Sequence, residues 1–560
     1  MTSLVPRSAY SKDELNNLYP EDLELRLVQV LLRHGERAPV SVRFGNAGLP
    51  AYWPYCNAAQ RIRSVALTPE DTSQWNSLQW RRRLETFGKD DGPTIASGPA
   101  GEVDGICQLG ELTDKGRETT YELGRRLRHL YVDQLRFMPQ LIANADLIYL
   151  RATAVPRALE SVQQAFWGMY PLTSRTATFP APTIVTRTFQ DETLFPNDSN
   201  CRRFAQLSRA FAQRTADRWN DSEEMAHVSK MVGKWMPDGA DNKVAVDSHP
   251  RLSGLMDTIN STLAHGRETR LPKEFYDEKA RAIIDKIAVE EWFSGFYENL
   301  EYRTLGIGGL VGDIVERMTS KIEGAGLSIN EIGGENGRPG IGRGGEKGVR
   351  FAMSGCHDTT LAGLLTSLGA FDGENWPPYS SHVAIELFRK KDPNSISSGS
   401  SSDATFLSET RPSSTEPKGE YRPGAIASLL GLRSASNSDP SSTSQSSNTD
   451  SANSPSRTPK FKDLIARKPH KALSGSQKDR LEPYYVRIRY NDKVMKVPAC
   501  AEPGNHYEGD DSLCTFEAFK RVADSFVPLN WKSQCASNLN QKIASLDGPA
   551  EPAGQIDDGF

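Results

Sequence analysis

The segment with the clearest capacity for chemistry is residues 33–39, which read RHGERAP. Arg33 and Arg37 flank one histidine, His34. A guanidinium group stays charged and offers planar donors that match the oxygens of a phosphate. Positive neighbours should lower the pKa of His34 and keep its imidazole neutral and nucleophilic, while Gly35 should let the backbone pass close to a bound anion. The segment therefore predicts an anion site with a histidine nucleophile.

Two further segments carry groups suited to the same task. Residues 355–360 read GCHDTT, in which His357 could bind an anion oxygen and Asp358 could donate a proton. Asp358 or Thr359 could equally be a simple helix N-cap. Residues 151–157 read RATAVPR, and either arginine of this segment could be a solvated surface charge. A site is favoured because all three segments follow predicted strands, in a chain with only nine histidines.

The elements that must position these groups are three short apolar runs, which we expect to be buried strands. They span residues 25–32 (LRLVQVLL), 147–150 (LIYL) and 349–353 (VRFAM), and each ends at or just before one of the three segments. Such runs are typical of parallel strands that are covered on both faces. The carboxyl ends of parallel strands meet at one edge of a sheet, so the three segments should converge there.

Helical periodicity occurs between these strands. Residues 113–131 place Leu123, Leu127 and Leu130 on one face, with Thr113 as the N-cap. A second helix should begin after His357, where leucines again form an apolar stripe. This alternation of strands and helices predicts an α/β fold with helices on both faces of the sheet.

The composition argues against several classes of protein. The chain has 560 residues, with 67 basic and 71 acidic side chains and a net charge of −4, which argues against a dedicated nucleic-acid binder. No apolar run is long enough to span a bilayer. The first 20 residues lack the apolar stretch of a signal peptide, which favours an intracellular protein, in the cytosol or the mitochondrion. The seven cysteines show no zinc-site spacing, so neither a metal nor another cofactor is expected.

Two polar stretches lack the pattern of folded elements. Residues 333–347 are rich in glycine but lack the Lys-Ser/Thr pair and the following helix of a phosphate-binding P-loop, so we expect a flexible loop. Residues 392–478 are rich in Ser, Thr, Pro, Asn and Asp, and they cannot bury enough apolar surface to compensate for the entropy of ordering. Strand-like residues 384–389 and 484–490 flank them, which predicts a disordered insertion at the tip of a β-hairpin. This Ser-rich insertion could bind protein partners.

Taken together, the segments resemble a known family. RHGERAP followed by a distant HDTT is similar to the histidine acid phosphatases, branch 2 of the histidine phosphatase superfamily. Residues 147–161 (LIYLRATAVPRALES) resemble the middle strand and helix of that family, and residues 112–131 resemble the preceding helix. Residues 191–204, 371–387 and 484–516 are most similar to the lysophosphatidic acid phosphatase (type 6 acid phosphatase) group.

The resemblance implies a fold and a domain organisation. The expected fold is a three-layer α/β/α core like that of phosphoglycerate mutase, with an inserted, mainly helical cap within about residues 160–345. The catalytic domain should comprise residues 21–391 and 479–545. The remaining parts are an N-terminal tail (1–20), the disordered insertion (392–478) and a C-terminal tail (546–560).

The resemblance also implies a reaction, the hydrolysis of phosphate monoesters in two steps. His34 attacks phosphorus and forms a phosphohistidine, and Asp358 protonates the leaving alcohol and then activates a water molecule. The groups implied to bind the phosphate are Arg33, Arg37, Arg157 and His357. No metal is needed, because arginines supply the positive charge. Since Asp358 must start protonated, we expect an acidic pH optimum.

The chain departs from the family pattern in two segments. Residues 151–153 read RAT where relatives have an RST-type motif, and Pro156 replaces an acidic residue, which could alter the orientation of Arg157. Cys356 stands where relatives often have a small residue, and we expect its thiol to be buried and inert.

The same resemblance implies two disulfide bonds. Cys201 would pair with Cys535, and Cys500 with Cys514, as in secreted relatives. Such bonds are typical of oxidising compartments, whereas the missing signal peptide favours the cell interior. The compartment therefore stays open between these two indications.

Three functions are compatible with the sequence. The first is a metal-free acid phosphatase acting on small or lysolipid phosphate monoesters, and the second is a phytase-like phosphatase acting on inositol phosphates. The third is a regulatory or scaffold protein that acts through the Ser-rich insertion. The complete set of six predicted site residues argues against the third, because drift in an inactive enzyme would usually remove one of them.

Overall fold

The described part of the chain, in a computed structural model, comprises residues 2–237, 241–324, 348–392, 464–543, 546 and 550–556. The chain divides into two compact units, one formed by Met1–Lys390 with Ile465–Phe560 and the other by Lys391–Leu464. Nearly all of the second unit lies outside the described residues, as does the predicted glycine-rich loop at 333–347. Nearly all of the described residues therefore belong to the first unit.

The described residues of this unit form strands and helices in an alternating order. The strands are β1 (Leu23–Arg33), β2 (Ile62–Thr68), β3 (Asp71–Trp80), β4 (Glu85–Phe87), β5 (Pro93–Ile95), β6 (Ile148–Ala152), β7 (Ile184–Val185), β8 (Phe351–Cys356), β9 (His382–Lys390), β10 (Tyr484–Tyr490), β11 (Lys493–Met495), β12 (His506–Tyr507) and β13 (Asp510–Thr515). The helices are α1 (Lys12–Leu18), α2 (Asp114–Arg128), α3 (Pro156–Met169), α4 (Arg202–Trp219), α5 (Glu223–Val232), α6 (Leu252–Ala264), α7 (Glu278–Glu298), α8 (Leu300–Gly306), α9 (Gly308–Glu323), α10 (Asp358–Ser367), α11 (Gly475–Asp479), α12 (Phe516–Asp524) and α13 (Trp531–Cys535).

The main sheet is mixed, with β1 near its centre. Its strand order is β12-β13-β10-β9-β1-β8-β6-β7, with β11 paired to β10. The pairs β1–β8, β8–β6 and β6–β7 are parallel, whereas β9 pairs antiparallel with both β1 and β10. The predicted hairpin of residues 384–389 and 484–490 is thus confirmed as the pair β9–β10.

Alternation along β1 explains the three layers. Val28, Val30 and Leu32 face a cluster that contains the apolar sides of α2 and α3, while Leu27 and Leu31 belong to the cluster on the opposite face. That second cluster contains apolar residues of α9, α10 and α12. Successive strand residues point to opposite faces, so one buried strand contributes to both layers, which confirms the three-layer α/β/α core.

Some helices within the predicted cap range of about 160–345 pack on the sheet instead of joining the cap. Helix α3 packs against β6 and β8, and α9 packs against β1, where the Gln29 side-chain amide donates to the Ile314 carbonyl at 3.1 Å. Both helices therefore belong to the core. Helices α4–α8 form the cap, with α7 packed against α4, α5, α6 and α8. Periodicity alone could not separate the two groups, because buried core helices and cap helices share the same apolar spacing.

The described residues of both predicted tails include packed positions. In the N-terminal stretch, Tyr10 is buried and the Tyr19 hydroxyl donates to Glu386 of β9 at 2.7 Å. In the C-terminal stretch, Ala553 is buried and its N–H donates to the Tyr297 carbonyl of α7 at 3.0 Å. Single aromatic or small anchors thus fix stretches whose overall composition is polar.

The predicted insertion also ends earlier than residue 478. Ile465 is fully buried, its N–H donates to Glu323 of α9 at 2.8 Å, and Arg467 forms ion pairs with Asp313 and Glu316 of the same helix. Residues 465–478 therefore belong to the first unit, because one buried isoleucine and one arginine attach them to α9. The rest of the predicted insertion, from 393 to 463, lies outside the described residues.

Candidate active site

The sheet brings the three predicted segments to one edge. Arg33 at the end of β1 lies opposite Cys356 at the end of β8, and Gly355 lies opposite Ala152 at the end of β6. His34 and His357 follow these strands directly, and their ring centroids are 5.6 Å apart. The convergence expected from parallel strands is therefore present.

His34 is a buried, neutral imidazole. Its Nδ1 lies 2.9 Å from the carbonyl oxygen of Gly35. A carbonyl only accepts hydrogen bonds, so Nδ1 carries the proton and the lone pair resides on Nε2. Burial, followed by the charges of Arg157, Arg33 and Arg37, lowers the pKa of His34 well below 6.5. The ring is thus available as a nucleophile even in acidic solution.

Gly35 permits a close backbone contact with α2. A Cβ at this position would lie 2.2 Å from the carbonyl oxygen of Gly116 in α2. A Cβ at Gly116 would in turn lie 2.2 Å from the carbonyl oxygen of Glu36. The two glycines let α2 contact the segment that carries His34, a packing role in addition to the one expected from the sequence.

Arg33 and Arg37 are held by carboxylates. Arg33 forms an ion pair with Asp358 at 2.7 Å, and its guanidinium carbon lies 4.2 Å from the centroid of the Tyr379 ring. Arg37 forms an ion pair with Asp257 of α6 at 2.6 Å. Both guanidinium groups are therefore fixed in orientation before any ligand arrives.

Arg157 is the arginine with an unmet charge. Pro156 opens α3 at a position where its missing N–H costs nothing, and Arg157 follows in the first turn. Its Nε is buried without a hydrogen-bond partner, and it forms no ion pair with any described residue. Burial, followed by repulsion from Arg37, lowers the pKa of Arg157 to about 10. This guanidinium would gain most from a bound anion.

The second arginine of the middle segment has a structural role. Arg151 is 1% exposed and forms ion pairs with Glu192 at 2.7 Å and with Asp313 at 3.1 Å. It is therefore neither a surface charge nor a ligand of the site. Its ion pairs tie the end of β6 to α9.

His357 is positioned by two threonines. Its Nε2 lies 3.1 Å from the Thr153 hydroxyl, and its backbone N–H donates to the Thr360 hydroxyl at 3.2 Å. Burial, followed by the charge of Arg157, lowers the pKa of His357 to about 3. The ring is thus a neutral hydrogen-bonding group rather than a cation. The threonine of the unusual RAT sequence contributes directly to this arrangement.

Asp358 opens α10 beside His357. The Trp376 indole N–H donates to its Oδ2 at 3.1 Å. Burial favours the protonated carboxyl, but Arg33, the Trp376 hydrogen bond and Arg37 outweigh burial, so the pKa of Asp358 is lowered. The carboxylate is therefore ionised before substrate binds, and a proton reaches it only when a ligand or acid changes that balance.

Four side chains of the site have no motif of their own in the sequence. Tyr379 lies beside both Arg33 and His34, and the ring centroids of Tyr379 and His34 are 6.0 Å apart. Asp257 comes from the cap, and Trp376 and Phe195 form aromatic walls beside Asp358 and His357. The sequence points to the segments of Phe195, Trp376 and Tyr379 only through the family resemblance of residues 191–204 and 371–387.

The cysteines form three disulfide bonds and leave one thiol. Cys201 is bonded to Cys535 and Cys500 to Cys514, the pairs implied by resemblance. Cys56 is bonded to Cys107, a pair without a recognisable spacing in the sequence. Cys356 is free and buried, and burial raises the pKa of its thiol, as expected for an inert group.

Neither a metal-binding cluster nor a membrane-spanning helix occurs within the described residues. No group of three or more His, Cys, Asp or Glu side chains among them is arranged to hold a metal ion. None of the helices in the described part of the chain is both long and apolar enough to cross a membrane.

Comparison with known proteins agrees with this geometry. The family model of the histidine phosphatase superfamily (branch 2) matches residues 24–405. A probable acid phosphatase of Schizosaccharomyces pombe is 34% identical over 519 residues, covering 92% of this chain and 95% of that protein. The lysophosphatidic acid phosphatase type 6 of Bos taurus is 22% identical over 383 residues, covering 68% of this chain and 77% of that protein. A crystal structure of Bifidobacterium longum multiple inositol polyphosphate phosphatase covers 95% of this chain and 98% of its own, with a TM-score of 0.46 and 11% identity.

The family match extends over more than half of the chain, and the Schizosaccharomyces relative is similar over nearly its whole length. Arginines and a neutral histidine stand together at the matched strand ends. The chain therefore belongs to the histidine phosphatase superfamily (branch 2) and is a hydrolase of phosphate monoesters.

Proposed function

We propose that the chain is a metal-independent acid phosphatase that works through a phosphohistidine on His34. The Nε2 lone pair attacks phosphorus as the bond from phosphorus to the ester oxygen breaks. The guanidinium groups of Arg33, Arg37 and Arg157 surround the equatorial oxygens, where negative charge is concentrated in the transition state. The neutral, fixed imidazole at the centre of three arginines is the observation that carries this proposal.

The leaving oxygen takes its proton from Asp358. Arg33 holds this carboxyl ionised before binding. A phosphate group shares Arg33 and adds negative charge nearby, and both changes raise the pKa of the carboxyl. Protonated Asp358 then gives its proton to the ester oxygen, which departs as a neutral alcohol.

The second step reverses the proton movement. Ionised Asp358 takes a proton from a water molecule, whose oxygen attacks the phosphohistidine. The bond from phosphorus to Nε2 breaks, and the electron pair returns to the neutral imidazole. Inorganic phosphate then leaves. The His34 imidazole is neutral again, and Asp358 again carries a proton, as it did at the start of the first step.

The walls of the site favour a substrate with an apolar or neutral leaving group. The Trp376 indole contacts the proton donor, and the edge of Phe195 lies against His357, with ring centroids 6.0 Å apart. On the cap side, Asp257 contributes a carboxylate beside Arg37. Additional phosphates of an inositol polyphosphate would be repelled there. A lysophospholipid such as lysophosphatidic acid, whose headgroup is one phosphate monoester, fits these walls better, and the name of the Bos taurus relative supports this choice.

A substrate panel tests this proposal. Lysophosphatidic acid, glycerol 3-phosphate and phytate are compared by kcat/KM on the purified chain at acidic pH. Glycerol 3-phosphate is the matched control, because it carries the same headgroup without the acyl chain. We expect lysophosphatidic acid to be preferred over glycerol 3-phosphate, and phytate to be the poorest substrate. A preference for phytate would instead support the inositol phosphate phosphatase.

The variant Phe195→Ser separates the wall from the chemistry. We expect it to reduce kcat/KM for lysophosphatidic acid and to leave that for glycerol 3-phosphate close to the wild-type value. An equal loss for both substrates would show that Phe195 acts only by supporting His357, and would contradict its assignment to the leaving-group wall.

A further inference from the structure

A hairpin outside the catalytic site exposes large apolar side chains to solvent. In β2–β3, Val65 is 71% exposed, Leu67 51%, Trp75 67% and Leu78 56%. Among the described residues these two strands pair only with each other and not with the main sheet. A two-stranded hairpin is marginally stable in water, and neighbouring exposed apolar residues mark a surface that a partner covers.

Three of these side chains share one face with a basic residue. Leu67 lies opposite Trp75, and directly opposed residues of an antiparallel pair point to the same side. Arg63 and Val65 precede Leu67 at alternate positions of β2, and they therefore lie on the same side as Leu67. We call Arg63, Val65, Leu67 and Trp75 the hairpin face. Leu78 lies on the opposite side, in register with Ser64.

The two ends of the hairpin differ in charge. Arg61, Arg63 and Arg81 lie at the base, all are exposed, and none forms an ion pair within the described part of the chain. The acidic residues Glu70 and Asp71 lie at or next to the turn, at the other end. The apolar part of the hairpin face lies between them. A partner that covers this face therefore meets free positive charge at the base.

The base of the hairpin is connected to the catalytic segment. The Cys56–Cys107 disulfide closes the loop that contains the hairpin. Arg82, just after β3, forms an ion pair with Glu111 at 2.7 Å. The carbonyl of Glu111 accepts a hydrogen bond from the N–H of Ala38, in the RHGERAP segment, at 3.0 Å. A surface bound by the hairpin is thus held at a fixed position relative to the phosphate site.

We propose that the hairpin face docks on a lipid bilayer that carries anionic headgroups. Tryptophan is favoured at the boundary between headgroups and hydrocarbon, because its ring is apolar and its N–H is polar. Leucine and valine side chains enter the apolar layer, and arginines at the same depth attract lipid phosphates. The acidic turn stays outside, so the hairpin lies side-on rather than tip-first.

Charge argues for a bilayer rather than for a second copy of the chain. A two-fold dimer that places the two hairpin bases together would bring two sets of unpaired arginines towards each other, which is unfavourable. A dimer that places base against turn would set three arginines against only two acidic residues, Glu70 and Asp71. An anionic bilayer instead complements all three arginines. This inference does not depend on which phosphate monoester the enzyme prefers, because docking is measured without substrate.

Vesicle sedimentation with the full chain tests the docking surface. Vesicles of phosphatidylcholine alone are compared with vesicles of phosphatidylcholine and phosphatidylserine. We expect the wild type to partition onto the mixed vesicles and onto pure phosphatidylcholine much less. The double variant Trp75→Ser with Leu67→Ser should bind about tenfold more weakly, because binding scales with the buried apolar area.

Two further variants make the test specific. The triple variant Arg61→Gln, Arg63→Gln, Arg81→Gln should lose the preference for phosphatidylserine. Leu78→Ser, on the opposite side, should bind like the wild type. All variants should keep wild-type turnover of p-nitrophenyl phosphate, which shows that they fold.

Two results would overturn the proposal. The first is vesicle binding that does not depend on the hairpin face. The wild type would then bind neither kind of vesicle, or the double variant would bind as well as the wild type. The second is a wild-type dimer in analytical ultracentrifugation that the double variant dissociates, since the hairpin face would then be an interface between copies of the chain.

Discussion

Two residues of the site must hold opposite protonation states in the same solution. His34 must be neutral to attack, whereas Asp358 must be protonated before the leaving group departs. Burial and the surrounding arginines lower the pKa of His34 well below 6.5. Acid that protonates Asp358 therefore leaves the His34 imidazole neutral and able to attack. The arginines therefore permit an acidic optimum in addition to binding phosphate.

Arg157 links these two roles and can be tested by its charge. In Arg157→Gln one positive neighbour is lost, so the pKa of His34 should rise. The acidic limb of kcat/KM, which reports the free enzyme, should then move to higher pH, and kcat should fall about 10²- to 10³-fold. Arg157→Lys should lose rate but keep the acidic limb at the wild-type pH. Identical limbs in the two variants would contradict the electrostatic role.

Asp358→Asn should affect substrates according to their leaving groups. An alkyl alcohol needs a proton to depart, whereas p-nitrophenolate does not. We expect phosphohistidine formation from an alkyl phosphate to fall about 10²- to 10⁴-fold, and formation from p-nitrophenyl phosphate to change far less. Rapid-quench measurement of the first turnover separates the two substrates. An equal loss for both would show that Asp358 has a structural role rather than that of an acid.

At this scale the sequence predicts the motif residues but not their partners. RHGERAP and HDTT could be recognised because charged side chains recur directly after apolar runs. Asp257 and Tyr379 could not, because an aspartate on a cap helix and a tyrosine in a loop have no local pattern. Their approach to Arg37 and Arg33 depends on how the cap and the sheet pack together.

At the scale of elements, β9 and β10 share a buried charge network. Glu386 of β9 forms an ion pair with Arg487 of β10 at 2.8 Å. It also accepts hydrogen bonds from the hydroxyls of Tyr19 and Tyr131 at 2.7 and 2.8 Å. Burial opposes its ionisation, but Arg487 and Arg489 outweigh burial, so the pKa of Glu386 is lowered. One carboxylate thus joins the sheet, the N-terminal segment and the end of α2.

Glu386→Gln should destabilise the chain by about 3 kcal/mol at neutral pH. Buried Arg487 loses its counter-charge, while Arg489 loses one carboxylate and keeps its ion pair with Asp492. The pKa of Glu386 is lower in the folded state, so its contribution is complete above the unfolded value of about 4.3 and is lost as pH falls through the folded value. The difference in Tm between variant and wild type should therefore shrink in strong acid.

A surface carboxylate provides the matched control for this variant. Glu508 forms an exposed ion pair with Lys390 on the same sheet, and exposed pairs contribute little. Glu508→Gln should leave Tm unchanged. If Glu386→Gln also leaves Tm unchanged at neutral pH, the network does not stabilise the fold.

The existence of the elements could be predicted better than their extent. The strands after which the motifs occur, and the Thr113 N-cap of α2, follow from local apolar runs and capping chemistry. The limits of the cap could not be predicted, since α3 and α9 differ from cap helices only in what they pack against. The packed ends of the chain depend on isolated anchors such as Tyr10, Ile465 and Ala553, which polar composition conceals.

At the scale of the whole molecule, all the proposed catalytic groups lie in one of the two units. This unit comprises Met1–Lys390 and Ile465–Phe560. The other unit, Lys391–Leu464, contains most of the Ser-rich stretch and none of the predicted site residues. Chemistry and any partner binding by that stretch should therefore be separable.

Replacement of residues 393–463 by a flexible Gly-Ser linker tests this separation. We expect kcat/KM for p-nitrophenyl phosphate to equal the wild-type value, because β9 and β10 pair directly with each other. A folded variant, with wild-type Tm but without activity, would show that the second unit takes part in catalysis and would contradict the assignment of all catalytic groups to the first.

The most direct test of the proposed phosphohistidine mechanism is the identity of the phosphorylated atom. The enzyme is mixed with a phosphate monoester, denatured in alkali within the first turnover, digested and analysed by mass spectrometry. We expect phosphate on Nε2 of His34 in the wild type. In His34→Ala, no phosphate should be trapped and turnover should be abolished. Phosphate on another residue, or unchanged turnover in His34→Ala, would contradict this mechanism.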